Sequence, residues 1–189
     1  IEDTCESLGS TYAGKYLGTF GEIGCFSMYY SHHLVSGGEG GMIVTDDDEL
    51  YRQLKSLRSH SWSREWEEWE RNKANHKWNV SSFDQMYTFF SPGFNLRNTE
   101  ISSFFGLRQL EKFQMFVEKR NRNFDLLNKL IVNKYWKPAL SEHDLICNLG
   151  YPIIHPKRNS IVKELLENKV ECRPLIAGSI GRQPFWIER

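Results

Sequence analysis

The chain has 189 residues, of which 25% are charged and 14% aromatic, and its 24 basic side chains balance its 24 acidic ones. This length allows one medium-sized domain, or one domain with part of another. Because the net charge is zero, no long-range electrostatic field favours nucleic acid or an anionic membrane as a partner.

The four cysteines are scattered, at Cys5, Cys25, Cys147 and Cys172. They form no CxxC pair and no short His/Cys spacing, so the sequence predicts neither a zinc site nor an iron–sulfur cluster. No signal peptide and no membrane-spanning apolar run is present, and free thiols then indicate a cytoplasmic protein. The absence of an initial methionine and an apolar, aromatic last stretch predict an internal piece of a longer protein.

Glycine-rich sequence opens the chain and contains two apolar runs, 23–30 and 42–45. Both runs predict buried strands, and the glycines of 37–41 predict a turn between them. Thr45, followed by three aspartates, predicts a helix N-cap with an acidic first turn. The helix that follows has one apolar face, at Leu50, Leu54 and Leu57. A strand followed directly by a helix predicts an α/β domain.

Residues 61–80 are charged and contain four tryptophans. No strand period is present, and Trp66 and Trp69 are one helical turn apart. We favour a surface insertion whose indoles pack on the domain or on a partner subunit. The alternative is a lid over the substrate, since exposed aromatic rings stack on sugars and bases.

The second half of the chain predicts a helical connection and a smaller domain. Asn98 or Thr99 is the expected cap of one long helix over 100–130, which Pro138 ends. Beyond it, strands near 151–154 and 170–172 and a helix near 160–168 predict a small α/β unit. The predicted division is a C-terminal part of a large domain at 1–99, a connecting helix at 100–140, and an incomplete small domain at 141–189.

Three segments of the first half carry side chains that could do chemistry. Asp3 follows a strand, where it could cap a helix or project into a cleft. His32 and His33 invite a metal hypothesis, but adjacent strand residues point to opposite faces, so a single acid/base histidine is favoured and His33 is expected to be structural. The glycines of 36–41 could hold a phosphate, although a tight turn explains them more simply.

Taken together these segments resemble a known family. The phrases IEDTCESLGS at 1–10, GCFS at 24–27, SHH at 31–33 and EGG at 39–41 are similar to the sugar aminotransferase family of pyridoxal-phosphate enzymes. Segments 58–60, 93–97 and 173–175 continue the resemblance, so that it covers essentially the whole chain. It implies the aspartate aminotransferase fold (fold type I), here as a partial large domain with a mixed sheet plus part of a small α/β domain.

His32 departs from most of that family, which has the Schiff-base lysine at this position. The departure resembles the nucleotide-sugar 3-dehydratase branch, in which a histidine is the acid/base. A second histidine-bearing branch holds an iron–sulfur cluster through clustered cysteines, which this chain lacks. The resemblance therefore implies removal of the 3-hydroxyl from a 4-keto-6-deoxy sugar nucleotide, for deoxysugar and O-antigen biosynthesis.

The resemblance also implies roles for individual residues. Asp3 would lie by the pyridine nitrogen of pyridoxal or pyridoxamine phosphate, and Glu6 by the ring hydroxyl or the amine. Ser27 would bind the cofactor phosphate, and Asn95 a phosphate in the neighbouring subunit. Arg173 would contact the substrate. No metal ligand is implied.

The implied partners are the nucleotide sugar, L-glutamate as amine donor, and a second copy of the chain in a homodimer with the active site at the subunit interface. A true sugar aminotransferase is disfavoured because residue 32 is not lysine. A non-catalytic homologue, or a fragment that is inactive alone, is the remaining alternative.

Overall fold

The computed structural model describes residues 1–132, 135–136, 139–176 and 178–188. Its strands are short: β1 Glu2–Asp3, β2 Thr11–Tyr12, β3 Lys15–Tyr16, β4 Gly24–Ser27 and β5 Gly41–Val44. Its helices are α1 Asp48–Leu57, α2 Glu68–Trp78, α3 Glu100–Leu110, α4 Phe113–Leu130, α5 Arg158–Glu167 and the single turn α6 Pro184–Ile187. Turns of 3₁₀ helix cover Ser63–Glu65, Asp84–Tyr87 and Ile180–Arg182.

The sheet that carries the family phrases has the strand order β1-β4-β5. Strand β1 is parallel to β4, with Asp3 opposite Cys25, and β5 is antiparallel to β4, with Ser27 opposite Gly41. The sheet is therefore mixed, as predicted. Strands β2 and β3 form a separate antiparallel hairpin.

The prediction that 42–45 is a buried strand is wrong in its burial. Strand β5 is formed, but Met42 is 52% exposed and Ile43 is 51% exposed. Strand β5 is an edge strand of the described sheet, so only β4 lies beside it. An apolar run shows that a segment can form a strand, but not which of its sides is covered.

Helix α1 begins two residues later than predicted. Asp47, not Thr45, is the N-cap, and its Oδ1 accepts a hydrogen bond of 2.9 Å from Leu50 N. Thr45 stabilises the turn before the helix, because its Oγ1 accepts a hydrogen bond from Asp47 N at 3.1 Å. A side-chain oxygen that accepts from the third residue on satisfies one of the free N–H groups of the first turn.

The single helix predicted over 100–130 is two helices. Thr99 caps α3, as one of the two predicted candidates, with Oγ1 accepting from Ser102 N at 3.1 Å. Helix α3 ends at Leu110, and Glu111 and Lys112 form a turn before α4 begins. Both turn residues are good helix formers, so neither propensity nor apolar spacing signals the break. Pro138, the predicted stop, lies outside the described residues.

The chain divides into two compact units, 1–124 with 141–149, and 125–140 with 150–189. The core of the first unit includes Leu34, Val117 and Cys147, each at most 5% exposed. Several hydroxyl side chains are also buried there: Thr4, Ser10, Thr11, Ser36, Ser56, Ser59, Ser61 and Ser63. The predicted domain ranges 1–99, 100–140 and 141–189 stay a prediction.

The second unit contains the predicted helix, as α5, but not the predicted strands. Residues 151–154 and 170–172 are described and have no strand ladder. A strand needs a partner, and no described segment of this unit pairs with either run. Among the described residues, no helix has the length and apolar character needed to cross a membrane.

Candidate functional site

Asp3 and Ser27 lie at the carboxyl ends of two neighbouring parallel strands. Strand β1 ends at Asp3, which is opposite Cys25, and β4 continues for two more residues to Ser27. The carboxyl edge of parallel strands is where α/β sheets bind ligands. The structure thus brings two of the predicted cofactor residues to one edge of the sheet.

The Asp3 carboxyl is exposed and is held as an anion. Its Oδ1 accepts a hydrogen bond of 3.2 Å from Cys5 N. Hydrogen bonds from the thiol and the backbone N–H of Cys5 hold the pKa of the Asp3 carboxyl below its ordinary value. Burial, together with the neighbouring Asp3, raises the pKa of the Cys5 thiol to about 11. Cys5 is therefore an unreactive thiol at neutral pH, and Asp3 is the charged member of the pair.

Ser27 begins the turn that leads to the histidines. Its Oγ accepts a hydrogen bond of 3.2 Å from Tyr29 N, which leaves the hydroxyl proton to donate elsewhere. A hydroxyl donor at the end of a strand suits a phosphate oxygen. Residues 28–40, which follow Ser27 and end at β5, are called the histidine loop below.

His32 lies in a turn of this loop, next to Glu6. Its backbone N donates to Tyr29 O at 2.9 Å, and its ring contacts the Tyr29 ring edge-on at 5.6 Å between centroids. Its Nε2 is 4.0 Å from Glu6 Oε1. The Nδ1 atom of His32 is buried and has no hydrogen-bond partner among the described residues. The ring is thus placed beside a carboxylate and has one nitrogen to offer a ligand.

His33 lies in a different environment from its neighbour. It is 5% exposed, and its Nε2 is 2.5 Å from the carbonyl oxygen of Cys147. A carbonyl only accepts, so Nε2 carries the proton and donates it. Burial lowers the pKa of the His33 imidazole, which favours the neutral ring. This anchor agrees with the structural role predicted for His33.

The glycines of the loop form a turn, as favoured from the sequence. Gly37 and Gly38 have φ angles of +81° and +119°, a region that side chains with a Cβ rarely adopt. Tyr30 N donates to Gly38 O at 3.0 Å, and Ser36 Oγ donates to Glu39 O at 3.0 Å. These bonds return the chain directly into β5.

The other two predicted site residues are Asn95 and Arg173. Asn95 forms an isolated antiparallel bridge with the buried Ser59, and the segment around it pairs with the end of α1. Arg173 belongs to the second unit and is exposed. The predicted site residues that the structure brings together are therefore Asp3, Glu6, Ser27 and His32.

Sequence reasoning missed a carboxylate that organises the sheet edge. Glu2 Oε1 accepts from Phe20 N at 2.6 Å and Gly21 N at 2.5 Å, and Oε2 accepts from Gly18 N at 2.8 Å. These bonds, the one from Gly21 first, lower the pKa of the Glu2 carboxyl. A glutamate beside an aspartate gave no signal of this role, because the three donors lie 16 to 19 positions away.

These residues fit a pyridoxal-type cofactor by their chemistry. Asp3 supplies an anion for a protonated pyridine nitrogen, Ser27 a hydroxyl donor for a phosphate, and His32 a buried nitrogen without a partner among the described residues. A metal is not needed to explain them. Within the described ranges, no three His, Cys, Asp or Glu side chains are grouped as metal ligands.

Comparison with known proteins identifies a family that matches the whole chain. The sequence pattern of the DegT/DnrJ/EryC1/StrS aminotransferase family matches residues 1–189. A GDP-4-keto-6-deoxy-D-mannose 3-dehydratase of Yersinia pseudotuberculosis is 34% identical over 184 residues. That alignment covers 95% of this chain and 46% of the relative, so the chain spans less than half of the relative's length.

Two solved structures share the fold. A mutant of GDP-4-keto-6-deoxymannose-3-dehydratase (ColD), with asparagine in place of a histidine and with bound GDP-perosamine, has a TM-score of 0.76 at 35% identity. A GDP-4-keto-6-deoxymannose-3-dehydratase with a trapped PLP-glutamate geminal diamine has a TM-score of 0.73 at 30% identity. They cover 93% and 92% of this chain, which in turn covers 46% of each. The predicted family resemblance and the aspartate-aminotransferase-like fold are confirmed.

Proposed function

Because this chain belongs to the DegT/DnrJ/EryC1/StrS aminotransferase family, we propose that it is the histidine-bearing part of a nucleotide-sugar 3-dehydratase. The enzyme removes the 3-hydroxyl of a 4-keto-6-deoxy sugar nucleotide. The observation that carries the proposal is that His32 lies beside Glu6 and has a ring nitrogen without a partner among the described residues. By the family resemblance, His32 takes the place of the Schiff-base lysine. The 3-dehydratases among the similar proteins support it.

The cofactor of this enzyme is pyridoxamine or pyridoxal phosphate. When bound, its ring supplies an electron sink for a bond broken next to the amine. Asp3, whose own carboxyl is an anion, would keep the pyridine nitrogen protonated, and the Ser27 hydroxyl would donate to the phosphate. Asn95 holds a phosphate in the neighbouring subunit. The PLP-containing relative supports this assignment.

His32 moves the proton. An imidazole cannot form a Schiff base with an aldehyde, so the cofactor is held by contacts and not by a covalent bond to this residue. A single imidazole can accept a proton at a ring nitrogen and then deliver it to the departing 3-hydroxyl. Glu6 attracts the ring while it carries that proton, at 4.0 Å between Oε1 and Nε2.

The substrates and the assembly follow from the same proposal. The substrate is a nucleotide-linked 4-keto-6-deoxy sugar, which Arg173 contacts, and L-glutamate restores the amine form of the cofactor. The bound GDP-perosamine and the PLP-glutamate adduct of the two ColD-type structures support these two ligands. The protein is a cytoplasmic homodimer with the active site at the subunit interface.

The test is the His32→Asn variant of the full-length protein. We expect dehydration to fall by about 10²- to 10⁴-fold, the usual contribution of a general acid/base, while cofactor binding stays near wild type. The 3-deoxy product of GDP-4-keto-6-deoxymannose is measured by mass spectrometry, and cofactor binding by absorbance. His143→Asn, at an exposed histidine, is the matched control. Unchanged turnover in His32→Asn would reject the assignment.

A further inference from the structure

Strand β1, which ends at Asp3, is held in the sheet by few backbone bonds. It has only two residues, Glu2 and Asp3. The bond from Glu2 N to Ile23 O is 2.8 Å long, and the one from Thr4 N to Cys25 O is 2.9 Å long. Because the strand is so short, the contacts of its side chains help to decide where Asp3 lies.

The Glu2 carboxylate ties β1 to the loop of residues 18–21. Its two oxygens accept three hydrogen bonds of 2.5 to 2.8 Å, from the backbone N–H groups of Gly18, Phe20 and Gly21. These bonds, chiefly the one from Gly21, lower the pKa of the Glu2 carboxyl, so the side chain is an anion at neutral pH. Hydrogen bonds to a charged acceptor are stronger than those between neutral groups. The loop and the strand are thus joined by strong bonds.

The same loop is packed against β4. A Cβ atom added to Gly24, in β4, would overlap the carbonyl oxygen of Gly18, and one added to Gly18 would overlap the Phe26 ring. Gly18 also has a φ angle of +90°, which favours glycine. Ser27, the proposed donor to the cofactor phosphate, comes directly after Phe26. The loop therefore links β1 to the strand that carries Ser27.

Asp3 lies between two anchored neighbours, although its own carboxyl is exposed. Glu2 precedes it, and Thr4, which follows, is 5% exposed and donates from Oγ1 to Cys25 O at 2.8 Å. A group that binds a ligand atom must be held within about 0.5 Å of the productive position by the residues around it. The two neighbours give the backbone at Asp3 this support.

We propose that Glu2 is a positioning residue, which fixes the backbone at Asp3 so that the Asp3 carboxylate meets the pyridine nitrogen of the bound cofactor. Both Glu2 oxygens are occupied by N–H groups of the loop, so Glu2 acts on the cofactor through Asp3. This inference rests on the proposed function, because that function assigns Asp3 to the pyridine nitrogen.

Binding of pyridoxamine phosphate to the full-length protein is measured by calorimetry in a double-mutant cycle. Glu2→Ala weakens binding by about tenfold, the effect of about one net hydrogen bond. In the Asp3→Asn background the same change weakens binding by less than about twofold, because the group that Glu2 positions is already removed. Glu22→Ala, at an exposed glutamate beside the same loop, is the matched control and leaves binding unchanged.

Two results of the cycle overturn the proposal. One is wild-type affinity in Glu2→Ala. The other is an equal loss of affinity in both backgrounds, which general damage to the fold would give. If Glu2→Ala does not fold, Glu2→Gln takes its place in the cycle. The amide keeps one acceptor oxygen and loses the other, so we expect a loss of about threefold with the same dependence on Asp3.

Amide hydrogen exchange of the cofactor-free protein tests the contacts themselves. The N–H groups of Gly18, Phe20 and Gly21 exchange faster in Glu2→Gln than in the wild type. Unchanged protection of these groups overturns the proposal.

Failure of the proposed function is seen in the wild type and not in the variants. An absence of any 3-deoxy product rejects the dehydratase and leaves the cycle of cofactor binding standing. A wild-type protein that does not bind pyridoxamine phosphate overturns both the proposed function and this inference.

Discussion

The histidine loop and residues 62–89, which we call the tryptophan segment, both carry ionisable side chains, but they are held in different ways. The histidine loop is anchored at His33, 5% exposed, which is bound to a carbonyl 114 positions away. The tryptophan segment is held by contacts among its own residues, such as the bridge between Trp62 and Phe89, and its Tyr87 is largely exposed. The loop that carries the proposed proton-transfer residue is thus fixed by long-range packing, whereas the other segment is held mainly by local contacts.

The largest expected effect comes from breaking the anchor of the loop. In His33→Leu, the Cys147 carbonyl loses its donor, and a buried unpaired acceptor costs about 2 to 3 kcal/mol. We expect the free energy of unfolding to fall by that amount in urea denaturation. Arg64→Gln, at an exposed residue of the tryptophan segment, should change it by less than about 0.5 kcal/mol. Equal losses in the two variants would contradict the comparison.

A second variant weakens the same anchor from the other side. Ser10 Oγ accepts from Cys147 N at 3.0 Å, and Cys147 is 1% exposed. Ser10→Ala leaves that N–H without an acceptor, so we expect a loss of about 1 to 2 kcal/mol. The measurement is again urea denaturation, with the exposed Ser82→Ala as control. Stability equal to that of the control would show that the segment around Cys147 is held by other bonds.

A smaller loss of stability is expected from a change at Trp66, in the tryptophan segment. Trp66 Nε1 donates to the buried Ser56 Oγ at 2.7 Å, and the Trp66 ring packs on Phe90. Trp66→Phe keeps the ring packing and removes the hydrogen bond, which costs about 1 kcal/mol. Trp69→Phe, at a side chain that is 60% exposed, is the matched control and should leave the melting temperature unchanged.

The smallest and most gradual effect is that of pH on the anchor. The pKa of His33 is lowered, chiefly by burial, so the folded protein binds fewer protons here than the unfolded chain. Stability is therefore full above the unfolded pKa of about 6.5 and is lost as pH falls toward the folded pKa. The charged groups Arg120, His32 and Glu6 also act on this ring. His33→Gln should flatten the dependence of the unfolding free energy between about pH 7 and pH 5.

Local signals in the sequence predicted local structure. The cap of α3 at Thr99 and the glycine turn at 37–41 follow from side-chain chemistry within a few residues. The sequence predicted that His32 lies at the end of an apolar strand, whereas β4 ends at Ser27 and His32 lies in a turn five residues further on.

What the sequence could not predict depends on distant partners. The runs 151–154 and 170–172 are apolar enough for strands, but four apolar residues do not reveal whether a neighbouring strand exists. Cys147 gave no signal, since a lone cysteine far from any motif is indistinguishable from other small core residues. Its carbonyl nonetheless anchors the loop that carries His32.

The tryptophans of residues 61–80 include both packed and exposed side chains. Trp62 and Trp66 pack on the domain and donate hydrogen bonds to it, as the favoured interpretation of a packed insertion predicts. Trp69 and Trp78 are exposed on α2. Trp66 lies just before α2, so its spacing from Trp69 is not that of two residues on one helix.

The bond between His33 and Cys147 also sets an order of events during synthesis. The ribosome makes the chain from its N-terminus at about 5 to 20 residues per second, so roughly 6 to 23 s separate the two residues. Through that interval the loop has its sequence but not its acceptor. The loop that carries His32, the proposed proton-transfer residue, is translated early and is secured late, so a nascent chain that stalls before Cys147 holds His32 without its final support.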